Sequence, residues 1–139
     1  MRAHRAAGAS ARRRKGNVML TVSAWFGLVV YDLVGFAGFG AIHRFVAAFP
    51  RRSRPRRDDV IARVCHAVDE ACVWYVKRSY CLQRSAVTTC LLRWCGVQAT
   101  LVIAYRPVPI DSHAWVEVDG RVVNDRPQYQ KFFLVLDRL

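Results

Sequence analysis

The hydrophobic period of this chain changes once, at Gly96, and that change limits the architectures open to it. From Asp58 onward, Val60, Ile61, Val64, Ala67, Val68, Ala71, Cys72, Tyr75 and Val76 recur at the spacing of one helical face, with Asp58 or Asp59 suited to cap the start. A second helix is expected from about Cys81 to Trp94 or Cys95. Gly96 ends it, because glycine most readily takes the left-handed conformation of a helix C-terminus. Beyond Gly96 the period is that of strands: VQATLVIAYR, then SHAWVEV, then an Asp119-Gly120 turn, then RVVND. Helices followed by strands predict an α+β fold whose second half is a small antiparallel sheet. Residues 127–139, with Phe132, Phe133, Leu134, Val135 and Leu136, suit either an edge strand or a short helix covering that sheet.

Ahead of this core lies a long apolar stretch, residues 18–49, in which Asp32 is the one acidic residue. Its length would span a bilayer and the preceding RRRK run would anchor it. Against that reading, Asp32 near mid-span would cost roughly 2.5–3.5 kcal/mol, and no small-residue cleavage site follows the first apolar run. Buried or amphipathic helices are therefore expected, broken near Gly35, Gly38 and Gly40 and ended by Pro50, with membrane association left open. At 139 residues the chain is read as one domain in three parts: a basic flexible tail over 1–17, an apolar helical region and basic linker over 18–57, and a core over 58–139.

The net charge of +12 suggests a nucleic-acid partner until its distribution is considered. Six basic residues fall within 1–15 and five within 51–57; the rest of the chain is close to neutral. The arginine tracts carry no interleaved aromatics for base stacking, so no nucleic-acid partner is expected. Five cysteines, an odd number without a CxxC pair, suggest neither a disulfide framework nor a zinc site, and fit a reducing cytoplasm. No metal and no cofactor is expected. Cys65 and Cys72 read as small core residues, and His66, off the apolar stripe, as solvated.

Cys81 differs from the other thiols. At a helix start, unpaired backbone N–H groups and the positive dipole end lower a thiol's pKa and make it a nucleophile. A thiolate needs a base, and the base an orienting acceptor. His113 is the one histidine in the sheet, and Asp125 follows on the next strand. A two-residue Asp119-Gly120 loop would pair Val118 with Arg121 and put His113 and Asp125 on opposite faces. A three-residue loop, with a type I turn at Val118-Asp119 and Gly120 as a left-handed bulge, pairs His113 with Asp125, sets Glu117 opposite Arg121 and packs Trp115 over Val123. The longer loop is predicted. Spacing alone also accommodates a plain core histidine and an inert thiol.

CLQRS at 81–85, opening a helix that ends in glycine, with HAWVEVDG at 113–120 and ND at 124–125, resembles the lasso peptide leader peptidases, stand-alone transglutaminase-like cysteine proteases. The resemblance covers roughly residues 60–126. It implies a transglutaminase-like, papain-like core with N-terminal helices and the catalytic cysteine at a helix N-terminus packed on the sheet. It also implies a Cys81, His113, Asp125 centre that cleaves leader from core in a ribosomally made precursor peptide. The partners implied are a separate leader-binding recognition protein and an ATP-dependent macrolactam synthetase, the lasso cyclase. Backbone N–H groups at the start of the Cys81 helix are candidates for the oxyanion site, with Gln83 a weaker side-chain candidate. Arg84 would bind a precursor carboxylate or pair with Asp125 or Glu117, and Ser85 would pack. Two rivals stand beside this reading: an amide-forming acyltransferase using the same residues, and a non-enzymatic, membrane-tethered adaptor.

Overall fold

The computed structural model describes residues 2–51 and 58–139, with side chains from Arg13 onward. Among the described residues the elements run α1 (Arg2–Gly35), α2 (Phe39–Ala48), α3 (Asp58–Trp74), α4 (Cys81–Trp94), β1 (Ala99–Pro107), β2 (Ile110–Val118), β3 (Arg121–Val122), α5 (Tyr129–Phe132) and β4 (Leu134–Arg138). Helices precede a four-stranded antiparallel sheet of order β3-β2-β1-β4, an α+β fold. The basic linker expected before Asp58 falls on residues 52–57, outside the described residues.

The segment read as a flexible tail is helical, because α1 begins at Arg2. Its alanines and arginines are strong helix formers. The apolar stretch breaks where its glycines predict, between Gly35 and Phe39, and Gly38 starts α2 with φ 92°. Arg13–Gly35 is long and apolar enough to cross a membrane, yet one side of it is built into the fold. Ala24 and Leu28 are fully buried against Val68, Ala71 and Val87. Gly27 permits that approach, since a Cβ there would lie 2.9 Å from Val87 Cγ1.

The central element is α4, which touches α1, α2, α3 and both long strands. It closes as a Schellman turn: Val97 N–H donates to Leu92 O at 2.9 Å, Gly96 N–H donates to Arg93 O at 3.0 Å, and Gly96 has φ 86°. Arg93 is fully buried and donates to Ala99 O at 2.9 Å, Val46 O at 2.7 Å and Leu139 O at 2.8 Å. Three carbonyls thus replace the water a buried guanidinium would lose, and they join the end of α2, the start of β1 and the last residue of the chain to α4.

Both faces of the sheet are covered. Leu101, Ala114, Val116 and Val118 face the helices, while Val102, Ala104 and Trp115 pack with Phe133. Residues 127–139 resolve into both of the forms their composition allowed: α5 covers the second face and β4 pairs with β1.

The β2–β3 register corrects the sequence reading. Val118 pairs with Arg121 and Glu117 with Val122, so the loop has two residues, Asp119 (φ 50°) and Gly120 (φ 74°). An Asp-Gly pair with positive φ at both positions makes the type I′ turn, whose twist matches that of the strands. Glu117 consequently does not face Arg121. It accepts from Trp115 Nε1 at 2.9 Å, Gln130 Nε2 at 2.8 Å and Arg138 Nη1 at 2.5 Å, and Val122, not Val123, packs with Trp115.

Candidate active site

Strict alternation in that register would turn Asp125 away from His113, but the ladder stops first. Val123 N–H still donates to Val116 O at 3.0 Å. The reciprocal Val116 N–H is taken at 2.8 Å by the side-chain oxygen of Asn124, not by a strand carbonyl. Asn124 Nδ2 donates to Ser85 Oγ at 3.0 Å, and Ser85 Oγ donates to Ala114 O at 3.0 Å. A buried polar link from α4 to β2 therefore draws the chain out of register, and the next residue, Asp125, swings back beside His113. The predicted proximity is present, and the predicted loop is not its cause.

His113 Nε2 and Asp125 Oδ2 are 3.0 Å apart, with both side chains 18 % exposed. The other carboxylate oxygen of Asp125 accepts Arg126 N–H at 2.8 Å, which fixes its orientation. With Nε2 engaged, Nδ1 is the ring nitrogen left for the thiol. The imidazole lies against Tyr129, with ring centroids 4.3 Å apart, and near Phe133 and Trp115.

Cys81 is the first residue of α4 and is partly buried. Its pKa is lowered, chiefly by the hydrogen bond with His113, against the opposing effect of burial. The backbone N–H groups of Ala114 and Leu82 and the charge on His113 add to the lowering. The pKa of His113 is raised, first by its hydrogen bond with Cys81 and further by Asp125, although burial works against it. Opposite shifts on facing partners mean that each favours the charged form of the other. The other shifted thiols behave differently: burial pushes Cys65 and Cys90 up to about 11 and raises Cys72 as well.

Two candidate residues point elsewhere. Gln83 is buried and donates to Leu28 O at 3.1 Å and Asp32 Oδ1 at 3.2 Å, so it ties α4 to α1 and is not turned toward an oxyanion. Asp32 also accepts from Tyr75 at 2.5 Å and pairs with Lys77 at 2.6 Å, which explains an acid in an apolar stretch. Arg84 pairs with Asp69 at 2.8 Å and donates to Asn124 O, in place of the expected Asp125 or Glu117. The sequence reading missed Tyr31, which packs against the same buried cluster as Cys81 and Leu82. Its hydroxyl pKa is pushed up to about 12 by burial, then by Asp32 and Cys81, so it stays neutral beside the thiol. Its signal, one tyrosine in a long apolar run, was too weak to use. Among the described residues no three His, Cys, Asp or Glu side chains gather as a metal site would require.

Residues 27–137 match the family described as the transglutaminase-like superfamily. The chain belongs to that superfamily. This transglutaminase-like chain is also 44 % identical over 50 residues to the microcin J25-processing protein McjB of Escherichia coli, a match covering 36 % of the chain. The matched part is 24 % of McjB, so the chain spans about a quarter of the length of that curated relative. No solved structure matches the transglutaminase-like chain.

Proposed function

We propose that the chain is a cysteine peptidase that removes the leader from a ribosomally made lasso peptide precursor. The observation that carries this reading is the pairing of a thiol of lowered pKa at a helix N-terminus with an imidazole held by a shielded carboxylate. Similarity to a microcin-processing protein supports a precursor peptide as the substrate class.

Cys81 thiolate attacks the scissile carbonyl, forming a C–S bond and placing negative charge on the carbonyl oxygen. The helix ladder of α4 starts with Arg84 N–H donating to Tyr80 O, so the N–H groups of the preceding turn are free of that ladder and suited to the charge. The C–N bond breaks as the His113 imidazolium gives its proton to the leaving core amine. The leader is left as a thioester on Cys81. His113, now neutral, takes a proton from water as the water attacks the thioester; C–S cleavage returns the thiol and releases the leader acid. Asp125 holds the ring throughout. A separate leader-binding protein would deliver the precursor, and the freed amine suits an ATP-dependent macrolactam synthetase acting next.

Wild type and Cys81→Ala, each incubated with precursor and its leader-binding partner and followed by mass spectrometry, test the proposal. Leader release by wild type alone is expected. A leader product carrying an added amine in place of water would make the chain an acyltransferase. Cleavage by a folded Cys81→Ala protein would remove the thiol from the reaction.

A further inference from the structure

The inner side of α1 is consumed by the fold, and its outer side is left bare. Val18, Met19, Val22, Phe26, Val30 and Leu33 follow one another at intervals of one to four residues along one helix face, and each is between 39 % and 71 % exposed. The apolar surface continues onto α2 through Phe39 and Phe45, and a groove lined by Val30, Phe45 and Trp94 opens between α1, α2 and α4. A face of this extent exceeds the scattered apolar residues ordinary for a surface.

At the N-terminal end of the stripe, Arg13, Arg14 and Lys15 are all exposed, and Lys15 stands on the stripe's own face by helical spacing, three and four residues before Val18 and Met19. No carboxylate lies on that face: Asp32 is turned inward to Tyr75, Gln83 and Lys77. Apolar side chains followed by cations and no acid complement a surface that is oily beneath and phosphate-bearing above.

We propose that α1 docks the protein flat on an anionic phospholipid membrane, with its outer stripe entering the interface and Arg13, Arg14 and Lys15 meeting the headgroup phosphates. The helix lies in the plane and does not span. Spanning would strip the inner contacts: Thr21 to Glu70 at 2.9 Å, Arg63 to Asn17 at 3.2 Å, and the Asp32 cluster, whose charge would then sit in hydrocarbon. This inference does not depend on the peptidase reading, and its test needs no substrate.

The test is flotation of the full chain with vesicles of phosphatidylglycerol and phosphatidylethanolamine, against phosphatidylcholine alone. Binding to the anionic vesicles only is expected, falling by about tenfold or more as salt rises from about 0.1 to 0.5 M. Arg13→Glu, Arg14→Glu and Lys15→Glu together should lower partitioning by about a hundredfold. Val22→Asp with Phe26→Asp should abolish it at every salt concentration, and since both residues are exposed, thermal unfolding should not change. Wild type that stays with the soluble fraction, or flotation that survives Val22→Asp with Phe26→Asp, overturns the proposal. Retention through alkaline carbonate washing would show a spanning helix and overturn the in-plane geometry. Oligomers that those two substitutions dissolve, without lipid binding, would assign the stripe to a protein contact instead.

Discussion

Replacing Asn124 by alanine tests the contact that brings Asp125 to His113. The Asn124 side chain is 7 % exposed and makes two hydrogen bonds, from Val116 N–H at 2.8 Å and to Ser85 Oγ at 3.0 Å. Ser85 keeps its own bond to Ala114 O. Val116 N–H, on a fully buried residue of β2, is left without an acceptor at a cost of about 1–3 kcal/mol, and the lost bond to Ser85 adds about 1 kcal/mol. The sum, about 2–4 kcal/mol, lowers the melting temperature by roughly 6–16 °C in a domain of this size. The strand can limit the loss by offering Val123 O to Val116 N–H, but that zips the hairpin one pair further and turns Asp125 to the other face. Either way His113 loses its acceptor, and cleavage should slow by about 10²- to 10⁴-fold. Thermal unfolding by circular dichroism reads the first effect. The pH profile of Cys81 alkylation, mapped by mass spectrometry, reads the second without any substrate. Ser85→Ala, which leaves Val116 N–H bonded but removes the bonds to Ala114 O and from Asn124 Nδ2, should cost about 2 kcal/mol. An Asn124→Ala protein with a melting temperature within about 2 °C of wild type and an unshifted alkylation profile would refute the reasoning.

Iodoacetamide at neutral pH should modify Cys81 before Cys65 and Cys90, whose burial holds them near 11; His113→Gln should move the Cys81 profile upward, and an unmoved profile would deny the pairing. The pair should also shape stability. The depressed Cys81 pKa contributes fully above the ordinary thiol value of 9.0 and is lost as pH falls through the folded value. The raised His113 pKa contributes fully below the ordinary 6.5 and is lost as pH rises through its folded value. In urea titrations at several pH values, the Cys81 contribution should therefore appear as stability lost by wild type relative to Cys81→Ala as pH falls below 9.0 toward the folded thiol value, and the His113 contribution as stability lost by wild type relative to His113→Gln as pH rises above 6.5 toward the folded imidazole value; differences that do not vary with pH would contradict the pairing. Gly27→Ala should destabilise by about 1 kcal/mol or more despite alanine's helix propensity, because Val87 is stiff and closely packed, and Val87→Ala in the same chain should relieve the clash in a double-mutant cycle. Arg93→Met should cost about 3–5 kcal/mol in urea unfolding, since three buried carbonyls lose their donor together.

The sequence made α3, α4 and the strands of the second half readable, because one helical face and one alternating pattern were each long enough to recognise and Gly96 marked their boundary. It identified the three residues that the structure brings together as the thiol, imidazole and carboxylate. It did not reveal how they meet. The Asp-Gly pair was read as part of a bulged loop because only that loop joined His113 and Asp125 within an intact ladder. The alternative, an intact type I′ turn followed by a side chain that leaves the ladder, depends on a hydrogen bond from Asn124 to Ser85, 39 residues away in sequence and without local signal. The destinations of Gln83 and Arg84 were hidden for the same reason, since their partners Asp32 and Asp69 lie on other helices.

The Arg84, Ser85 and Asn124 contacts also make the position of Asp125 depend on the packing of α4. A hairpin formed by itself would continue its ladder in the two-residue register and hold Asp125 on the wrong side of the strand. With α4 in place, Ser85 holds Asn124 and the carboxylate lies toward the imidazole. The same docking delivers Cys81, the first residue of α4. One packing of α4 on the sheet thus places both the thiol and the carboxylate beside the imidazole, so a substitution that loosens that packing disturbs the two together.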